Sequence, residues 1–198
     1  SEAGATEILV VADGSAAPHL IAADLVSQAE HDEQASAVLV TDSAALAEAV
    51  KAALPARVDA TRHSERVTAA FHGPQSAVVL VDDIAQATAF SNAYAPEHLE
   101  LHLADPRPEE FVNAGAVFVG PYTPVSLGDY LAGSNHVLPT GGQARYGAGL
   151  SAATFLRPQQ VVEYDRAALS EVRDAIVTLA EAEALPAHGE AVTARFEA

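Results

Sequence analysis

Cysteine is absent from this 198-residue chain, which rules out a disulfide framework and any thiolate metal centre. Lysine is nearly absent too: Lys51 is the single one, and the basic residues together number only 10. So few cations form no basic patch, and nucleic-acid binding driven by counterion release is excluded. No apolar run approaches the ~18 residues that cross a bilayer. No basic segment leads into an apolar stretch, so no secretory signal is visible. These absences point to a cytoplasmic setting without nucleic-acid or membrane partners. Methionine is missing altogether and the chain starts at Ser1, which suits one piece of a longer polypeptide.

Negative charge is abundant. The chain carries 27 acidic residues and a formal charge of −17. Such self-repulsion is tolerable where salt screens it, with a Debye length near ~3 Å at about 1 M. The composition therefore fits a salt-adapted source, and equally an ordinary acidic, Ala-rich bacterial protein. At 49% apolar residues, the chain has enough material for a real core.

Ile8 to Ala12 is a continuous apolar run closed by Asp13-Gly14, which reads as a buried strand and turn. Pro18 opens a helical pattern in Leu20, Ile21 and Leu25 that continues to Glu30. Strands are predicted at Ala37–Val40, Ala77–Val81 and Ala116–Val119, with alternation in Leu99, Leu101 and Leu103. Asp42-Ser43 caps a helix expected to stop at Ala53, before Pro55, and another helix spans Asp83–Ala93. Alternating strands and helices predict an α/β domain over residues 1–150, an incomplete Rossmann-like unit with a mostly parallel sheet. Beyond it, Ala168, Val172, Ile176 and Leu179 recur at helical spacing. Residues 151–198 therefore read as a helical tail whose single apolar stripe needs a partner surface.

Two segments resist a core reading. Gly128 to Gly142 sets Asp129, Asn135 and His136 in a Gly/Pro-rich stretch with no clean period, as in a loop that aims polar groups into a cleft. Ala95-Pro96-Glu97-His98 places a carboxylate beside an imidazole. In extended backbone the two would point in opposite directions and face different sides of a substrate. A third pair, Gln28 and His31, sits three apart on one face of a predicted helix. Each has a plainer reading: a solvated helix end for Gln28 and His31, a turn cap for Glu97, a packed ring for His98.

Six blocks in order carry a family resemblance: Ala3-Gly4-Ala5-Thr6-Glu7, Ser27-Gln28-Ala29-Glu30-His31, the two segments above, Gly149-Leu150-Ser151, and Ala187-His188-Gly189-Glu190-Ala191-Val192-Thr193. Together they resemble the C-terminal half of histidinol dehydrogenase, the zinc enzyme family that oxidises L-histidinol to L-histidine with NAD, the last steps of histidine biosynthesis. The resemblance implies one Zn2+ per subunit, held by Gln28, His31, Asp129 and His188. It also implies a homodimer in which His188 serves the neighbouring subunit's site and the tail packs on that subunit. His98 becomes the general base and Glu97 the group that activates water, roles that suit an imidazole titrating near neutrality and a carboxylate. Thr6, Gln28, His31, His98, Asp129, Glu183 and His188 become substrate contacts, with Glu183 holding the ammonium group and His136 orienting substrate or a ligand. Thr6 stands where the family usually has Ser, and Ala5 where it usually has Pro.

Family members are about twice as long as this chain, and their N-terminal half carries most NAD contacts. No G-x-G-x-x-G follows a strand here, so no cofactor-binding residue is assigned in this chain. Turnover by the isolated chain is not expected. Two rival readings stay open: a zinc hydrolase using His31, Asp129 and His188 as ligands with Glu97 as base, and a non-catalytic relic that binds only zinc and histidinol. His19, His63, His72 and His102 match no functional position and read as surface or loop residues.

Overall fold

Six residues with no exposed side chain among them, Glu7–Ala12, form β1, the central strand. The structure is a computed structural model describing residues 4–197. After β1 come α1 (Pro18–Ala29), β2 (Ser36–Thr41), α2 (Ala44–Ala60), α3 (Ser64–His72), β3 (Ala77–Leu80) and α4 (Ile84–Tyr94). β4 (His98–His102), β5 (Ala116–Val119) and a short α5 (Val125–Tyr130) complete the sheet region. The sheet has the order β3-β2-β1-β4-β5, and every pairing is parallel. The predicted α/β architecture is therefore present.

The chain divides into two units between Phe155 and Leu156. The second unit holds α6 (Arg166–Ala182) and α7 (Pro186–Thr193). On α6, Leu169, Val172 and Ile176 line an open cleft of about 770 Å³, together with Tyr164 and Phe196. Arg166 and Arg173 sit over the Phe196 ring at 5.3 and 5.7 Å.

Strand alternation sorts the core of the first unit into two layers. Ile8, Val10, Ala37 and Leu39 face α1 and α2, packing on Ile21, Leu25, Leu46 and Val50. Leu9, Val11, Val38, Val40, Leu99 and Leu101 face the other way, onto Ala87 of α4. β4 thus spends its apolar residues on the α4 side. His98, Glu100 and His102 consequently share the opposite face, where Phe118 and Val125 belong to the α1 layer.

Two local expectations are corrected. α2 does not stop before Pro55 but runs through it to Ala60. Pro55 and Lys51, whose carbonyl loses its partner, both lie on the solvent side, so water takes that bond, while Leu54 and Val58 keep packing inward. Ser43 caps the helix as expected, accepting from the Leu46 N–H. α3 was not foreseen; its Val67 and Ala70 are buried three apart amid polar residues.

Candidate active site at the amino end of the sheet

The turn into β4 builds the centre of the site. α4 ends on Ala95, which is fully buried and adopts a left-handed conformation at φ 57. A non-glycine residue pays for that geometry in strain. Pro96 then turns the chain into Glu97 and His98. The first residue of β5's approach, Gly115, donates its N–H to the Pro96 carbonyl at 2.9 Å. A Cβ on Gly115 would stand 2.6 Å from the Glu97 carbonyl oxygen, so only glycine lets the two backbones run this close.

Glu97 and His98 do not diverge as extended backbone suggests. Glu97 precedes the strand, and its carboxylate lies 3.5 Å from His98 Nδ1. Glu97 Oε2 accepts from the Thr6 hydroxyl at 2.6 Å and from the Glu7 N–H at 3.0 Å. Gln28, only 2% exposed, donates its Nε2 to Thr6 Oγ1 at 2.7 Å. The Gln28 amide oxygen takes no part in this relay.

The His98 tautomer follows from its partners. Its Nδ1 lies 3.1 Å from the Glu7 backbone carbonyl, which can only accept, so Nδ1 carries the proton. In a neutral ring Nε2 is then a bare lone pair. It is buried, has no hydrogen-bond partner among the described residues, and stands 3.8 Å from Asp129 Oδ1. The Phe118 ring packs against the same imidazole at 6.0 Å between centroids. Burial pushes the Glu7 carboxyl above its ordinary value; the Gly141 N–H opposes this and the Glu97 carboxylate adds to it.

Thr6, His31, Glu97, His98, Asp129, Tyr130 and His136 line one cleft of about 380 Å³. Gln28 reaches this group through Thr6. His31 is not on the helix face with Gln28, because α1 ends at Ala29; it follows the end of the helix and is exposed. Asp129 is not on a loop either, but in the last turn of α5. Glu183 is the exposed residue ending α6, and His188 is an exposed residue of α7, both in the second unit.

The donors of the first unit fit a divalent cation of zinc's borderline character. They comprise an imidazole at His31, a carboxylate at Asp129 and the amide oxygen of Gln28, which takes no hydrogen bond among the described residues. A dinucleotide is another matter. β1 leads through Asp13-Gly14-Ser15 to Pro18 without the Gly-rich turn that cradles a pyrophosphate in dinucleotide-binding folds.

A second polar cluster was not legible beforehand. His102 is neither a surface nor a loop residue; it is buried on β4. Its Nε2 lies 3.3 Å from Glu100 Oε2 and 3.9 Å from Asp24 Oδ2. The three ligand-type atoms of this cluster lie within 4.8 Å of one another. Glu100 Oε1 accepts from the Val125 N–H at 3.0 Å. Burial, and then the Glu100 charge, push the Asp24 carboxyl up to about 7, while His102 and Arg57 pull it down. The available signal was the period-two repeat His98, Glu100, His102 on a strand whose intervening residues are leucines.

The family model described as histidinol dehydrogenase matches residues 1–196. The chain belongs to the histidinol dehydrogenase family. It is 64% identical over 199 residues to the histidinol dehydrogenase of Leifsonia xyli, covering 100% of this chain and 46% of that protein. The Mycobacterium tuberculosis histidinol dehydrogenase is 59% identical, with 100% and 45% covered. The crystal structure of the Elizabethkingia anophelis histidinol dehydrogenase superposes with a TM-score of 0.90 at 34% identity, covering 100% of this chain and 46% of that one. The chain thus spans slightly less than half the length of these family members. Among the described residues, no helix is long and apolar enough to cross a membrane.

Proposed function

We propose that this chain forms the zinc- and substrate-holding half of a histidinol dehydrogenase, which oxidises L-histidinol through histidinaldehyde to L-histidine. The observation that carries this reading is the bare, buried Nε2 of His98, aimed at Asp129 in the cleft lined by His31 and Glu97. Such a nitrogen is a base poised for one proton. In the first oxidation the alcohol carbon gives up hydride to an acceptor bound outside these residues, and His98 Nε2 takes the hydroxyl proton. Water then adds to the aldehyde. Among the described residues, both hydrogen bonds to Glu97 fall on Oε2, so Oε1 is the oxygen left to take the proton of that water. Once His98 has released the first proton to solvent, the hydrate gives a second hydride to the external acceptor, and its hydroxyl proton goes to the freed Nε2.

Gln28, His31 and Asp129 would hold Zn2+, with His188 of the neighbouring subunit of a homodimer as fourth ligand. When bound, the ion positions the amine and imidazole nitrogens of histidinol. Glu183 would pair with the substrate ammonium, and Thr6 and His136 would line the entrance. NAD would be held mainly by an N-terminal half supplied separately. A hydrolase is less well supported, because the chain belongs to a dehydrogenase family.

The test is zinc titration by calorimetry at molar salt, with and without histidinol, on the wild type, His31→Ala and His188→Ala. Binding near one ion per chain that tightens with histidinol and weakens in both variants is expected. A wild type that binds no zinc, or variants that bind as well as wild type, would refute the ligand set.

A further inference from the structure

We propose that Glu100 is a positioning residue: its buried carboxylate holds the first turn of α5 against β4 and so sets where Asp129 stands opposite His98. The inference rests on the proposed role of His98 and Asp129, and adds a residue that this role does not use. Glu100 is 1% exposed, on the same strand face as His98 and two residues further along β4. Its Oε1 accepts the N–H of Val125, the first residue of α5. That bond replaces something α5 lacks. Its own N-cap is Pro124, which offers no side-chain hydrogen bond.

A six-residue helix has little stability of its own and depends on what holds it. α5 is held at two places. Val125 is tied to Glu100, and Gly128 lies flat on the Phe118 ring, where a Cβ would come within 2.5 Å. Asp129 follows directly, 3.8 Å from His98 Nε2. Four residues of helix separate Val125 from Asp129, about 6 Å of rise, so an error at the anchored end is carried to the carboxylate. The same strand therefore bears both the base and the anchor of its partner.

The rest of the cluster fixes the anchor. His102 Nε2 lies against Glu100 Oε2, and Asp24 closes the other side. Both Glu100 oxygens are engaged.

The test uses the whole chain, with Co2+ as a visible probe of the cleft and the amide resonances of α5 as a probe of its position. Glu100→Leu removes the acceptor, and Glu100→Gln keeps an acceptor oxygen for Val125. Val125→Pro removes the donor instead, at the first helical position where proline is tolerated. Val67→Ala, in the core of α3, serves as a control for general destabilisation. Glu100→Leu and Val125→Pro should weaken Co2+ binding about tenfold, the usual effect of losing a group that orients a ligand. Glu100→Gln should restore it, and Val67→Ala should leave it unchanged despite a lower Tm. Co2+ binding in Glu100→Leu equal to wild type would overturn the proposal, as would a Val67→Ala that loses as much. A wild type that takes up no Co2+ refutes the metal reading instead. The amide resonances then decide: shifts in Glu100→Leu that reach Asp129 support positioning, and shifts confined to Val125 overturn it.

Discussion

Replacing Asp24 by Asn should stabilise the protein above neutrality. The Asp24 carboxyl is pushed up to about 7 in the folded state, whereas an unfolded Asp titrates near ~3.9. Between those values the folded chain holds a proton that the unfolded chain has lost. Folding then takes up a proton, so the contribution of Asp24 to stability falls as pH rises from about 4 to about 7, and stays low above. At roughly 1.4 kcal/mol per pH unit the full penalty would be about 4 kcal/mol. Asp24 is partly exposed, so solvent screening reduces this to about 2 kcal/mol. Asn keeps the shape and offers an N–H to Glu100 in place of the carboxylic proton, without the charge.

The assay is urea unfolding of the wild type and Asp24→Asn between pH 5.5 and 8, at constant ionic strength and with chelator present. The lower limit stays clear of the isoelectric point of 4.6. Taking the difference between the two proteins cancels the titration of all other groups. The advantage of Asn should widen by about 1 kcal/mol across this range, equivalent to about 2–4 °C in Tm for a domain of this size. An advantage independent of pH would refute the reasoning. So would a variant less stable than wild type at pH 8, since Asp24 would then be ionised and favourably paired.

Gly128→Ala should push α5 off Phe118 and cost about 1–3 kcal/mol, as overpacking does, read by urea unfolding together with loss of zinc binding. Gly115→Ala should strain the backbone contact at Glu97 and lower Tm more than an exposed Gly133→Ser. If the charge of −17 reflects salt adaptation, Tm should rise between low and molar salt; a flat melting series would exclude it. Mixing the chain with the N-terminal half of a family member should recover NADH formation from histidinol, followed at 340 nm; sustained silence would favour a binding relic.

β1 and β2 were legible because buried parallel strands are apolar runs whatever their neighbours, and β3 and β5, less buried, are apolar runs too. β5 fell on the predicted residues, and β1 and β2 within one residue at each end. α2 ran past Pro55 because tertiary contacts of Leu54 and Val58 outweighed a local rule, and the broken bond faced water. α5 was hidden by its glycine, which reads as a loop signal but here permits contact with Phe118. The residues of the cleft were named from the family resemblance. Their arrangement was not accessible, because it depends on a backbone carbonyl, Glu7 O, and on a left-handed Ala95. Neither leaves a mark in the residue code.

The position of the cleft follows from the same accounting. In open parallel sheets, ligands usually gather at the carboxyl ends of the strands, beside the point where strand order reverses. Here that reversal lies between β1 and β4, but the cleft is at their amino ends, at Thr6 before β1 and Glu97 before β4. α5 makes this possible by leaving the carboxyl end of β5 and running back, so that Asp129 arrives opposite His98. Such a return path needs an anchor where it starts, and β4 supplies Glu100 there. On the proposed reading, the polar face of β4 is one device with two ends: the base at the amino end, and the group that aims its partner two residues further on. If Glu100 proves dispensable for metal affinity while Gly128 does not, the aim is set by Phe118 packing alone, and the buried carboxylates of the cluster need another explanation.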